Sequence, residues 1–382
     1  LKQLVASKGV ELAKNVAITV SGTTNTAADV STIAKTTTGV VTATVKADSA
    51  AALNKALTDK DVNALNLTVN SATATAKDLI ELAGKTSVTG GVNVAAVTTI
   101  TGNITEVTKL FVTNKADFTG LAAQNVTISG TVTAAEAEVI AGKTTGVVTA
   151  TIAADTVSKL DAALSETGAS ANALKLTTKG DDTTAADLNS LDTKTTVAIN
   201  ANSIKNIDGT GATGAADVKT VYLSAKAGQI SGLGNETVDL TGATDANVAL
   251  VNAINGFTTG VITLPELTFG ATATTFALKN LGDLKGITGL VEINAKNGGT
   301  DVKDIINISL KDLLEANDSK TDFTLNITTA TGGTLDVVNL TNDVSGWTGV
   351  AGTGADANKL YTYTNDKTHQ VVTITANEAI IA

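Results

Sequence analysis

Carboxylates, hydroxyls and one imidazole are the groups in this chain whose spacing is open to site chemistry. Its 382 residues contain no Cys and no Met. That excludes disulfides, thiolate metal ligands and cysteine nucleophiles together. His369 is the one imidazole, between Thr368 and Gln370. A Ser–His–Asp triad needs its serine on a strained Gly-x-Ser-x-Gly elbow, which this sequence lacks, so His369 reads as a surface residue without a catalytic role. Asp181 with Asp182, Asp301 with Asp304, and Asp318 with Asp322 are the carboxylate pairs open to acid/base work. Aromatic residues make up only 3% of the chain, too few to line a sugar-binding cleft. These pairs therefore read as solvated turn aspartates, and no enzymatic activity is expected.

Cation binding is a better use of the carboxylates. Calcium takes several oxygens from Asp, Asn and backbone carbonyls gathered in tight glycine turns. Asp208-Gly-Thr-Gly211, the segment 297–304 and Thr341-Asn-Asp343 offer such groups. Calcium is expected at Asp208, Asp301, Asp304, Asn342 and Asp343, with plain Asx turns as the alternative. The glycines at 209–214 lack the strand-to-helix context of a phosphate loop. Sequons at Asn66, Asn103, Asn125, Asn235, Asn307 and Asn326 follow from the abundance of Asn and Thr.

The elements that would position these groups come in repeats. Asn15-Val-Ala-Ile-Thr-Val-Ser-Gly22 is followed by Lys35-Thr-Thr-Thr-Gly-Val-Val-Thr-Ala-Thr-Val45. Asn125-Val-Thr-Ile-Ser-Gly130 is followed by Lys143-Thr-Thr-Gly-Val-Val-Thr-Ala-Thr-Ile152. Thr237-Val-Asp-Leu-Thr-Gly242 is followed by Thr258-Thr-Gly-Val-Ile-Thr263. Asn15, Asn125 and Asn235 mark a period of about 110 residues, the signature of an array or solenoid. Within each unit, runs such as 17–20, 40–45 and 65–69 alternate Thr with Val, Ile or Leu, the period of a half-buried strand. Short helical runs follow: Leu53 and Leu57 lie four apart, Leu79 and Leu82 three apart, with Thr75 as a cap. Strand plus short helix, repeated, is the grammar of a solenoid coil.

The expected fold is mainly β with short helices: a tandem-repeat solenoid followed by a C-terminal β-domain. Residues 1–14 are the end of a preceding repeat, 15–124 and 125–234 are full units, 235–296 is a partial unit, and 297–382 is the C-terminal domain. Val5-Ala-Ser-Lys8 looks like the tail of one more lead-in, so the chain is expected to begin inside a repeat. The C-terminal strands read as antiparallel, separated by Gly/Asp/Asn turns.

Composition narrows the function. The net charge is −10, and all 27 basic residues are Lys. Without clustered cations or aromatic platforms, nucleic-acid binding is excluded. No apolar run is long enough for a membrane helix, so no membrane insertion is expected.

The order Ile308-Ser-Leu-Lys-Asp-Leu-Leu314, Phe323-Thr-Leu-Asn-Ile327, Val338-Asn-Leu340, Trp347, Tyr361-Thr-Tyr363, Val371-Val-Thr-Ile374 resembles the C-terminal region of large bacterial adhesins and repeats-in-toxin-like proteins. The Thr/Ala/Val-rich units look like those of Gram-negative surface-layer proteins. The resemblance implies type I secretion through an uncleaved C-terminal signal and an extracellular place on the bacterial cell surface. The calcium-binding nonapeptide of repeats-in-toxin proteins is not repeated here; Gly298-Gly-Thr-Asp301 and Gly352-Thr-Gly-Ala-Asp356 are fragments of it. The expected function is a self-assembling surface-layer subunit, with cell-surface polysaccharide or lipopolysaccharide as a further partner. The alternative is the stalk and C-terminal part of a secreted adhesin.

Overall fold

The computed structural model describes residues 14–59, 62–165, 172–268, 275–277, 286–295, 305–317, 322–329, 337–353, 359–376 and 379–381. It is a mixed α/β structure of parallel sheets and short helices, in two compact units. The first comprises 1–154, 160–177 and 194–197; the second comprises 155–159, 178–193 and 198–382.

Local structure follows directly from the Thr/Val alternation. In Val41–Val45 the residues Val41, Ala43 and Val45 are buried while Thr42 is exposed. Val148–Ile152 repeats the pattern. Several strands run straight into a helix through a hydroxyl cap. Thr26, Ser49, Thr75, Thr133 and Thr184 each accept the backbone N–H three residues on. Such a cap satisfies one of the N–H groups a helix start leaves unpaired. Leu53, Leu57, Leu79 and Leu82 are all buried, as their spacing predicts. The core is therefore aliphatic and made of thin layers. Side-chain amides join neighbouring helices: Asn54 Nδ2 donates to the Asp78 carbonyl at 2.7 Å, and in the other unit Asn189 Nδ2 donates to Asp217 at 3.0 Å.

The first unit holds two five-stranded sheets, each parallel throughout. One orders Ile18–Asn25, Val41–Val45, Ala64–Thr68, Val92–Asn93 and Phe118–Thr119. The other orders Thr73–Thr75, Thr99–Asn103, Asn125–Val132, Val148–Ile152 and Ala173–Lys175. In both, sequence order is spatial order. The positive φ of Gly22 and of Gly130 accompanies a register shift at the same place in two related strands, Ile18–Asn25 and Asn125–Val132. Only glycine adopts such a conformation without strain.

The second unit holds a parallel five-stranded sheet: Asp182–Thr184, Asn206–Asp208, Thr237–Asp239, Ile262–Thr263 and Ile287–Thr288. Ile199–Asn200 pairs with Ile230–Ser231, and a four-stranded parallel sheet orders Thr275–Ala277, Ile305–Ser309, Val337–Thr341 and Ala379–Ile381. A six-stranded sheet orders Glu266–Thr268, Glu292–Ala295, Phe323–Thr329, Val371–Ala376, Leu360–Asn365 and Trp347–Ala351. The C-terminal strands depart from the antiparallel expectation. Only the last three strands of the six-stranded sheet, from Trp347 to Ala376, form an antiparallel meander; the others pair parallel. Period-two alternation is the same for both pairings, and the deciding feature is the connection. Ser309 leads directly into the helix Leu310–Glu315. The ladders also run across residue 297, pairing 292–295 with 326–329 and 275–277 with 305–307.

The repeated Thr-Thr-Gly triplet acts as a clasp. Thr144 Oγ1 donates to the Gln124 carbonyl at 2.6 Å and accepts the Gly146 N–H at 3.0 Å. Thr37 does the same with Val16 and Gly39, and Thr258 with Glu236 and Gly260. The middle residue adds its own N–H: Thr145 to Ala122 and Thr259 to Gly234. Thr86 and Thr195 make the same contacts to Leu65 and Leu174, with Val88 and Val197 as third residue. Each clasp ties the chain to a segment about 20 residues earlier, so a local motif fixes a non-local distance.

Candidate metal centre

Asp208 is the predicted ligand with the most unusual surroundings. It ends the strand Asn206–Asp208 and stands in register between Thr184 and Asp239 of the two flanking strands. In-register parallel neighbours point to the same face about 4.8 Å apart, so two carboxylates stand side by side. Asp239 Oδ1 accepts the Thr241 N–H at 2.8 Å. Asp208 Oδ1 is buried and has no hydrogen-bond partner. Burial, and then the charge of Asp239, raise the Asp208 carboxyl above its ordinary pKa. The adjoining groove, about 290 Å³, is lined by Thr156, Ser158, Asp182, Thr184, Asp187 and Asn206 as well as Asp208. Its walls are oxygen-rich, the donor set of a hard cation. Among the described residues no three carboxylates or imidazoles converge closely enough to hold a metal by themselves. A cation in this groove would rest on Asp208, completed by hydroxyl and amide oxygens of the lining.

The raised pKa has a measurable consequence. The folded state binds this proton more tightly than the unfolded chain does. Its contribution to stability is therefore present at low pH and is lost as pH rises from the unfolded to the folded pKa. Asp208→Asn removes that loss. The variant should be more stable than the parent at neutral pH, with the gain vanishing in acid. Urea unfolding at both pH values checks this. A gain that persists unchanged in acid would place its cause elsewhere.

The other expected ligands are used differently or lie elsewhere. Asp301 and Asp304 fall outside the described residues. Asn342 Nδ2 donates to the Trp347 carbonyl at 2.8 Å, and Asp343 Oδ1 accepts the Lys311 N–H at 3.0 Å. These two residues hold a turn and the first turn of the helix Leu310–Glu315. Asp245 does the same for the helix Gly214–Lys226, accepting the Ala215 and Ala216 N–H groups at 2.9 Å each. His369 is exposed in a turn, with φ 60°. Asp181 forms an exposed ion pair with Lys205 at 3.4 Å.

The sequence reading passed over Glu236. It is fully buried, and both its oxygens accept the Gly234 N–H, at 2.8 and 3.0 Å. The Tyr222 hydroxyl donates to it at 3.3 Å, while the Tyr222 ring stacks on Phe257 at 5.8 Å. Burial first, then the nearby carboxylate, hold that hydroxyl protonated. Gln124 takes the matching place in the first unit, its Oε1 accepting the Ala122 and Ala123 N–H groups. The signal lies in the sequence: Gln124 and Glu236 stand 20 and 22 residues before the first threonine of a Thr-Thr-Gly clasp.

Among the described residues no helix is long and apolar enough to cross a membrane. Compared with known proteins, the chain matches no family model, no curated sequence and no solved structure.

Proposed function

We propose that this protein is a structural subunit of a bacterial surface layer, a solenoid of strand-and-helix coils that assembles with copies of itself on the cell exterior. The observation that carries the reading is the clasp. The most regular polar motif of the chain spends its hydroxyls on holding one turn of chain to the one before it. That is the chemistry of a building element whose product is shape. Parallel strands stacked in sequence order, each contacting its chain neighbours, are the arrangement from which solenoids are made. Export by type I secretion follows from the resemblance of the segment 308–374 to adhesin C-termini. Calcium at Asp208 fits the same reading. A chain with net charge −10 repels its copies, and a divalent cation relieves that repulsion.

The test is electron microscopy of the purified full-length protein at rising concentration, with and without calcium. Two-dimensional sheets are expected, more extensive with calcium and loosened by a chelator before any coil unfolds. Persistent monomers under every condition would favour the stalk of an adhesin instead.

A further inference from the structure

We infer that the strand Trp347–Ala351 is an assembly edge, which pairs antiparallel with the same strand of a second copy. This inference rests on the self-assembly reading and names the surface. Among the described strands, Trp347–Ala351 is the outermost of the six-stranded sheet, with Leu360–Asn365 on its inner side. The inner bonds fall on alternate residues. Asp366 N–H donates to the Gly346 carbonyl, and Gly352 N–H to the Leu360 carbonyl. In an antiparallel ladder this alternation turns the backbone groups of Gly346, Thr348, Val350 and Gly352 inward. Those of Trp347, Gly349 and Ala351 face outward; of these, the Trp347 carbonyl takes the Asn342 amide.

An exposed row of outward groups is a template for another strand, and proteins blunt such rows with charge, proline, bulges or very short strands. Several other edges among the described strands carry those devices. The opposite edge of the same sheet begins Pro265-Glu266. Asp182–Thr184 follows Asp181, and Ala173–Lys175 ends on a lysine. Ile18–Asn25 is bulged, and Phe118–Thr119 is two residues long. Trp347–Ala351 has none of them. No charged residue occurs from Val344 to Thr353, and Val350 is 60% exposed.

The occupant is a second copy because the strand is complementary to itself. The outward groups are symmetric about Gly349. A two-fold axis there sets Gly349, over one face of which the Tyr361 ring lies, against its own image, with no side chain of residue 349 itself between the strands. It sets Trp347 against Ala351, a large residue facing a small one, and Thr348 against Val350, both good strand formers. Two chains of net charge −10 would then meet along a segment without charge. Such an isologous contact closes a pair, and a second contact elsewhere would extend pairs into an array.

The chain has no cysteine, which makes the test clean. Two full-length single variants, Thr348→Cys and Val350→Cys, are mixed under mild oxidation. Thr348 and Val350 would be directly opposed across the axis, so mixed disulfide dimers should exceed either homodimer at least tenfold. Sedimentation of Ala351→Pro, whose missing N–H faces outward, should show at least tenfold weaker association, with an unchanged circular dichroism spectrum. If the parent protein forms sheets while the mixed disulfide is no more abundant than the homodimers, the edge is not the interface and the surface-layer reading stands. A parent protein that stays monomeric throughout overturns both.

Discussion

Gly146→Ala should destabilise the first unit by about 3 kcal/mol, close to the upper end of overpacking costs. A Cβ at Gly146 would lie 2.3 Å from the Gln124 carbonyl oxygen, which is backbone and cannot swing aside. The only relief is to move one strand-bearing segment away from the other, and that breaks the Thr144 bond as well. Gly39 and Gly260 meet the same wall, at 2.4 and 2.0 Å from the backbone of Val16 and Glu236. Gly142, four residues earlier, is the control. It caps a helix at φ −71°, and its nearest neighbour is a carbonyl of its own helix at 3.6 Å. Alanine there should be neutral or slightly stabilising, since it narrows the unfolded ensemble. Urea denaturation of both variants makes the comparison. Equal stability of the two would remove the clasp from the account.

Glu236 provides the second large effect. Glu236→Leu removes the acceptor of the half-buried Gly234 N–H and of the buried Tyr222 hydroxyl, which keeps its bond with Thr258. An unsatisfied buried group costs about 1–3 kcal/mol, so a loss of roughly 2 kcal/mol is expected. Glu236→Gln should cost less than about 1 kcal/mol, because an amide oxygen accepts the same bonds, as Gln124 does in the first unit. A loss of the same size for both variants would mean that the negative charge, and not hydrogen-bond acceptance, is what the site requires.

These two sites show what the sequence made legible. The strand–helix rhythm, the Thr75 cap and the buried Leu53, Leu57, Leu79 and Leu82 could all be read from spacing, because each depends on contacts within a few residues. The Thr-Thr-Gly triplet was visible as a repeat, but its job was not. Its partners lie about 20 residues away, and only the fold brings a carbonyl against the glycine. The direction of the C-terminal strands was hidden for a related reason: alternation is common to both pairings. Asp208 and Asp343 look alike in sequence, as acids in glycine- or asparagine-containing turns. One finds an amide partner at a helix start, and the other faces a second carboxylate. That difference is made by the neighbouring strand, whose register the sequence does not state.

Electron diffraction from the intact envelope of the native cell decides whether this chain tiles a surface. A structural subunit that tiles the surface predicts sharp periodic reflections, lost when this one gene is deleted. A native envelope that carries the protein sparsely and without periodic order would contradict the account.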